Sequence, residues 1–123
     1  MIVGIGVDRI ALARVEKSLD RFGNRFVERI YTDLEYQLAQ KKGVVRRLSM
    51  FFAAKEAVSK ALGTGFIGFG MKEIEISYEP SGKPVVILHG GAKQCAAALN
   101  VDGIHLSLTD DDGVAMAFVV IEA

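Results

Sequence analysis

In the stretch Phe52-Ala53-Ala54-Lys55-Glu56-Ala57-Val58-Ser59-Lys60-Ala61-Leu62-Gly63-Thr64-Gly65, Lys55 and Ser59 stand one helical turn apart, as do Glu56 and Lys60. Two adjacent polar faces result. The plain reading of Glu56 and Lys60 is an exposed ion pair contributing about 0.2–0.5 kcal/mol, with Lys55 and Ser59 solvated beside it. Two features favour an anion site instead. Small alanines around these side chains permit close approach, and the loop Gly63-Thr64-Gly65 follows at once. Asp8, after a short β-branched run, is open to two readings. It caps the helix that follows, or it joins Glu56 in the kind of sparse carboxylate pair that holds magnesium and leaves room for water and phosphates.

Other residues invite chemistry less specifically. Alternation along Ile104-His105-Leu106-Ser107-Leu108-Thr109 puts His105, Ser107 and Thr109 on one strand face, which is also what an ordinary solvent-facing strand would show. Asp110-Asp111-Asp112-Gly113 lacks the spaced ligands and distal glutamate of a calcium loop and reads as an acidic hairpin turn. Arg14, Lys17, Arg21 and Arg25 recur every three or four residues, a basic stripe if the first helix runs that far, partly neutralised by Glu16 and Asp20. Such a stripe suits an acidic protein surface. Gly4-Ile5-Gly6 lacks the third glycine of a dinucleotide-binding fingerprint.

These groups must be carried by a small set of elements. Residues 2–7 suit a buried strand that other backbone approaches closely at Gly4 and Gly6, with Asp8 at its end. Ala11, Leu12, Val15 and Leu19 recur at helical spacing over residues 11–22. Thr32-Asp33-Leu34-Glu35 has the form of a capping box opening a short helix to about Gln40. Residues 46–62, without glycine or proline and followed by Gly63, predict the longest helix. Alternation over residues 73–79, the turn Pro80-Ser81-Gly82-Lys83 and the apolar residues 85–88 predict a hairpin. A short alanine-rich helix over residues 92–99 and a second hairpin, 104–109 with 114–121, complete the chain. The fold class expected is α+β, an antiparallel sheet on a long central helix with shorter companions. Residues 114–121 are apolar on both faces, which places them inside the sheet or at a subunit interface.

With 123 residues, half of them apolar, the chain fits a single domain spanning residues 1–123. A domain of this size encloses a large ligand poorly, and subunit interfaces are the natural alternative. Zero formal net charge argues against a general nucleic-acid binder. The first residues lack the pattern of a signal peptide and no apolar run has transmembrane length, so a cytoplasmic location is expected, with no membrane partner. Cys95, the single cysteine, forms no intrachain disulfide and reads as a small buried hydrophobe.

Taken in order, Gly4-Ile5-Gly6-Val7-Asp8, Arg29-Ile30-Tyr31-Thr32 with Glu35, the run from Phe52 to Gly65, Gly82-Lys83-Pro84 and His105-Leu106-Ser107-Leu108-Thr109 resemble the phosphopantetheinyl transferase family. Within it, the similarity is to the short bacterial acyl-carrier-protein synthase branch, nearly end to end. The resemblance implies transfer of 4'-phosphopantetheine from coenzyme A to a serine of acyl carrier protein in fatty acid biosynthesis. It implies Asp8 and Glu56 as magnesium ligands, with Lys60 assisting catalysis. It also implies phosphate contacts from Lys60, His105 and the Gly63-Thr64-Gly65 loop, with Pro84 near the adenosine. Trimers with active sites between subunits are implied too. The basic stripe Arg14, Lys17, Arg21 and Arg25 would then face the carrier protein. One departure stands out: where the family often has arginine before Phe52, this chain has Phe51, so the phosphate contact falls to Arg46 or Arg47 or is absent.

Overall fold

The computed structural model describes residues 1–123. Strand β1 (Ile2–Ala11) leads into α1 (Leu12–Phe22), α2 (Asn24–Ile30), α3 (Asp33–Gln40) and the long α4 (Val44–Ala61). After a loop and a 3-10 turn (Met71–Glu73) come β2 (Ile74–Tyr78), β3 (Pro84–Leu88), α5 (Gly90–Ala98), β4 (Gly103–Asp111) and β5 (Val114–Glu122). The class is α+β as expected. The strands divide into two antiparallel sheets, a three-stranded one in the order β1-β5-β4 and the separate β2-β3 hairpin. The β4-β5 hairpin turns at Asp112 and Gly113, both at positive φ (50° and 75°), a conformation that suits Asp-Gly in a tight hairpin.

β1 reaches Ala11, four residues beyond the expected strand, and it is a half-solvated edge strand rather than a buried one. Its alternation explains the difference. Gly4, Gly6, Asp8 and Ile10 face α4, whereas Ile5 and Val7 lie on the opposite side, 57% and 52% exposed. The close approach read from the two glycines is present. A Cβ at Gly4 would overlap the carbonyl oxygen of Ala61, and one at Gly6 that of Ala57. Helix α4 therefore lies with its backbone directly on the strand, and its alanines Ala53, Ala54, Ala57 and Ala61 leave room for it. Leu48, Phe51 and Val58 fill the space around this contact, each worth about 1.5–3 kcal/mol of burial.

The first helix ends at Phe22 as expected, but a further helix follows it. Gly23, at φ 55°, ends α1, and the chain restarts as α2, a helix without a periodic signal of its own. The basic stripe is thereby split: Arg14, Lys17 and Arg21 are on α1, and Arg25 is on α2. The capping box at Thr32 and Glu35 is present in full. β5 is the central strand, with Ala115, Ala117, Val119 and Ile121 buried under α4. Its other face carries Met116 and Phe118, 39% and 47% exposed, beside Ile5 and Val7 on β1. No helix is long and apolar enough to cross a membrane.

The glycine contact gives a direct test of this packing. Gly6→Ala forces α4 off β1 and is expected to destabilise the protein by about 1–3 kcal/mol, read by urea unfolding. The same substitution at Gly113, which has open space around it, carries only the cost of its positive φ.

Candidate active site

Asp8 sits inside β1, opposite Ala117 of β5, on the face that α4 covers. The capping reading is overturned, since the N-cap of α1 is Ala11 and no side chain caps that helix. The same contact that seats α4 on Gly6 brings Glu56 and Lys60 to Asp8. The Lys60 ammonium lies 2.8 Å from Asp8 Oδ1 and also donates to the Val7 carbonyl at 3.2 Å. Lys60 thus pairs with Asp8 rather than with its helical neighbour Glu56. The Asp8 hydrogen bond holds the Lys60 ammonium above the usual lysine range. Burial pushes the Glu56 carboxyl up, the charge of Asp8 pushes it further, and Lys60 only partly offsets both. The Asp8 charge is therefore close enough to oppose ionisation of the half-buried Glu56, with the Lys60 cation at the rim.

This donor set fits a divalent metal. It contains two hard oxygen donors and no cluster of three or more acidic, histidine or cysteine side chains that would enclose an ion. A magnesium ion held this way would keep positions for water and phosphate oxygens. A cation between Asp8 and Glu56 would relieve the part of the Glu56 elevation that comes from the Asp8 charge, the larger part coming from burial.

Lys55 and Ser59 do not form the surface face expected of them. Lys55 is fully buried and its ammonium is 2.8 Å from Oε1 of the equally buried Glu35. It also donates to the carbonyls of Met71 at 2.8 Å and Ile74 at 2.6 Å. Burial lowers the lysine and raises the glutamate, and each charge supports the other. Ser59 is buried and donates to the Glu56 carbonyl at 2.7 Å. Past α4, Gly63 and Gly65 adopt positive φ (84° and 60°), and Gly65 N–H donates back to the Ser59 carbonyl at 3.2 Å. Thr64 is exposed, with its hydroxyl 3.9 Å from Cys95 Sγ. Cys95 is half-buried, not the fully buried residue expected.

A second cluster lies at the other edge of the sheet. Pro84, Arg46 and Arg47 line one cavity of about 350 Å³ together with Lys42, Tyr78 and Ser107. Arg46 pairs with Asp110 at 2.8 Å, which gives the acidic turn a cationic partner on α4. Arg47 stacks on the Tyr78 ring, 4.5 Å from its centroid, and donates to the Leu38 carbonyl at 2.6 Å. Its Nε is buried without a partner. Phe51 is buried against Tyr78 and reaches no surface, so the cavity's arginines come from the first turns of α4. Ser107 was noted in the sequence only as part of a polar strand face and Lys42 and Tyr78 not as site residues, because nothing in the sequence links the chain after α3, a hairpin strand and β4. His105 is on β4 with its Nε2 2.8 Å from Glu122 Oε1, on the sheet face opposite to Asp8.

Within one copy, then, the expected site residues fall into two groups. Asp8, Glu56, Lys60 and the Gly63-Thr64-Gly65 loop sit by edge strand β1, and Arg46, Pro84 and His105 sit by edge strand β4.

Comparison with known proteins gives a consistent identity. Residues 4–119 match the family described as the 4'-phosphopantetheinyl transferase superfamily. The chain is 48% identical to the holo-[acyl-carrier-protein] synthase of Sphingopyxis alaskensis over all of this chain and 98% of that one. Among solved structures, it superposes on the holo-[acyl-carrier-protein] synthase of Neisseria meningitidis with a TM-score of 0.92 at 34% identity, covering both chains completely. The Helicobacter pylori holo-[acyl-carrier-protein] synthase, solved in complex with coenzyme A, gives 0.86 at 34% identity over 96% of this chain and 99% of that one. On full-length similarity in sequence and in fold, this chain belongs to the 4'-phosphopantetheinyl transferase superfamily.

Proposed function

We propose that this chain transfers 4'-phosphopantetheine from coenzyme A to a serine hydroxyl of apo-acyl carrier protein, releasing adenosine 3',5'-bisphosphate, in fatty acid biosynthesis. The observation that carries the mechanism is the convergence of Asp8 and Glu56 beside Lys60. A bond forms between the serine oxygen and the β-phosphorus of coenzyme A, and the bond from that phosphorus to the bridging oxygen of the bisphosphate breaks. Magnesium held by Asp8 and Glu56 would neutralise the charge that builds on the phosphoryl oxygens. Lys60, half-exposed at the rim, is placed to point its ammonium at the same oxygens, and Asp8, now its partner, would be one of the two residues that hold the metal. The serine proton would go to Glu56 or to a water held beside the metal.

The adenosine end belongs in the cavity of Pro84, Lys42, Arg46 and Arg47, where three cationic side chains suit phosphate and Pro84 offers an apolar wall. His105 and the backbone of Gly63-Thr64-Gly65 would complete the phosphate contacts. One molecule of coenzyme A must touch both clusters, and these lie at opposite edges of one sheet. A head-to-tail ring of copies joins the β1 edge of one to the β4 edge of the next. The exposed apolar face of Ile5, Val7, Met116 and Phe118 supplies the contact that such a ring would bury. We take the ring to be the trimer implied by the resemblance, with the whole chain acting as one transferase domain in the cytoplasm.

The carrier protein is assigned to the α1-α2 surface. Arg14, Lys17 and Arg21 project from α1. Arg25 lines a groove of about 610 Å³ with Arg29, Phe22, Phe26 and Ile30, a basic rim around an apolar floor. This combination suits an acidic amphipathic helix.

Three outcomes test this reading. Asp8→Asn and Glu56→Gln are each expected to lower kcat by about 10²–10³-fold. Glu56→Gln should keep or raise the melting temperature at neutral pH, because the carboxylate it removes is disfavoured by the fold; mass measurement of the carrier product and calorimetry check the two parts. Arg14→Glu is expected to raise the KM for carrier protein about tenfold, equivalent to about 1.4 kcal/mol, with the KM for coenzyme A unchanged. Phe118→Glu should give a folded monomer by sedimentation, with activity reduced about a hundredfold or more because neither half-site is complete.

A further inference from the structure

The buried Glu35-Lys55 pair has no place in the chemistry just described, yet every polar atom in it is accounted for. The three protons of the Lys55 ammonium go to Glu35 Oε1 at 2.8 Å, the Met71 carbonyl at 2.8 Å and the Ile74 carbonyl at 2.6 Å. Glu35 Oε1 also accepts from Thr32 N–H at 2.9 Å and Oε2 from Ile76 N–H at 2.8 Å. The lysine is thus fastened to three separate elements: the capped start of α3, strand β2 and the 3-10 turn. Burying two charges is an inefficient way to stabilise a fold, since apolar residues of similar volume usually do as well or better. What such a pair provides is direction.

Direction is what the seam between α4 and β1 does not supply. That contact consists of Ala57 and Ala61 backbone on Gly4 and Gly6, a smooth surface without side chains to interlock. Leu48, Phe51 and Val58 hold the helix in the core, but the glycine-alanine seam itself adds no interlocking side chain that would fix its rotation to within a few degrees. At a radius of about 6 Å, a turn of about 10° moves a side-chain end by about 1 Å. A displacement of that size is enough to cost a reaction about a hundredfold. Lys55 immediately precedes Glu56 and sits about 100° from it around the helix, so holding one side chain fixes the azimuth of the other and, a turn later, of Lys60.

We propose that Lys55 and Glu35 are positioning residues: their buried contact sets the rotation of α4 so that Glu56 and Lys60 meet Asp8. The inference rests on the reading of Asp8 and Glu56 as the metal-binding pair. It is tested with the double variant Glu35→Gln/Lys55→Met, which removes both charges and keeps both volumes, assayed beside the wild type for melting temperature, kcat, both KM values and half-saturating magnesium. A folded variant is expected, with kcat down about tenfold and half-saturating magnesium up about tenfold, while the KM for carrier protein is unchanged. Should the double variant not fold, Glu35→Gln alone is judged by the same criteria. A folded variant whose kcat and half-saturating magnesium stay within about twofold of wild type overturns the positioning role. A wild type indifferent to magnesium overturns the carboxylate reading itself, and the positioning role with it.

Discussion

The structure depends on one contact, the seating of α4 on the backbone of β1 where Gly4 and Gly6 leave no side chain in the way. A residue with a Cβ at either position would overlap the helix backbone and force it outward. Because side chains alternate along a strand, the register that turns the glycines toward the helix turns Asp8 the same way. The helix then presents Glu56 and Lys60 to it. The sheet behind is equally committed: Ala115, Ala117, Val119 and Ile121 of the central strand are buried beneath α4, so the helix cannot shift without opening the core.

Electrostatics separates two pairs of opposite charge that look alike in sequence. Lys55 with Glu35 is sealed from water and bound on all sides by hydrogen bonds, which suits a fixed structural role. Lys60 with Asp8 lies at the surface, with the lysine half in solvent, which suits a pair that must open to admit a ligand. Glu56 stands between these extremes, its carboxyl raised by burial and by the nearby Asp8 charge. Division of labour along one helix is thereby achieved within six residues.

Much of this was legible in the chain. The Gly4 and Gly6 approach, the Thr32-Glu35 capping box, the long α4 and both hairpins followed from local pattern, because each depends on neighbours in sequence. The role of Asp8 did not, since strand interior and helix cap look alike in a run that ends in Asp-Arg-Ile-Ala, and only the pairing with β5 decides. Lys55 was misjudged for a related reason. A lysine on an alanine-rich helix reads as solvated, and its partner Glu35 lies on another helix where the capping box already accounted for it. The short α2 escaped because it has too few residues to show a period. Lys42, Tyr78 and Ser107 come from three distant segments and meet only in the folded chain.

The central claim is that the Asp8 and Glu56 carboxylates share one divalent cation. Manganese titrated into protein with labelled side-chain carboxyl groups broadens most the resonances nearest the ion. The account requires Asp8 and Glu56 to broaden together at the lowest manganese concentrations, ahead of the acidic turn at Asp111 and Asp112. Early broadening confined to that turn, with Glu56 left sharp, would contradict it.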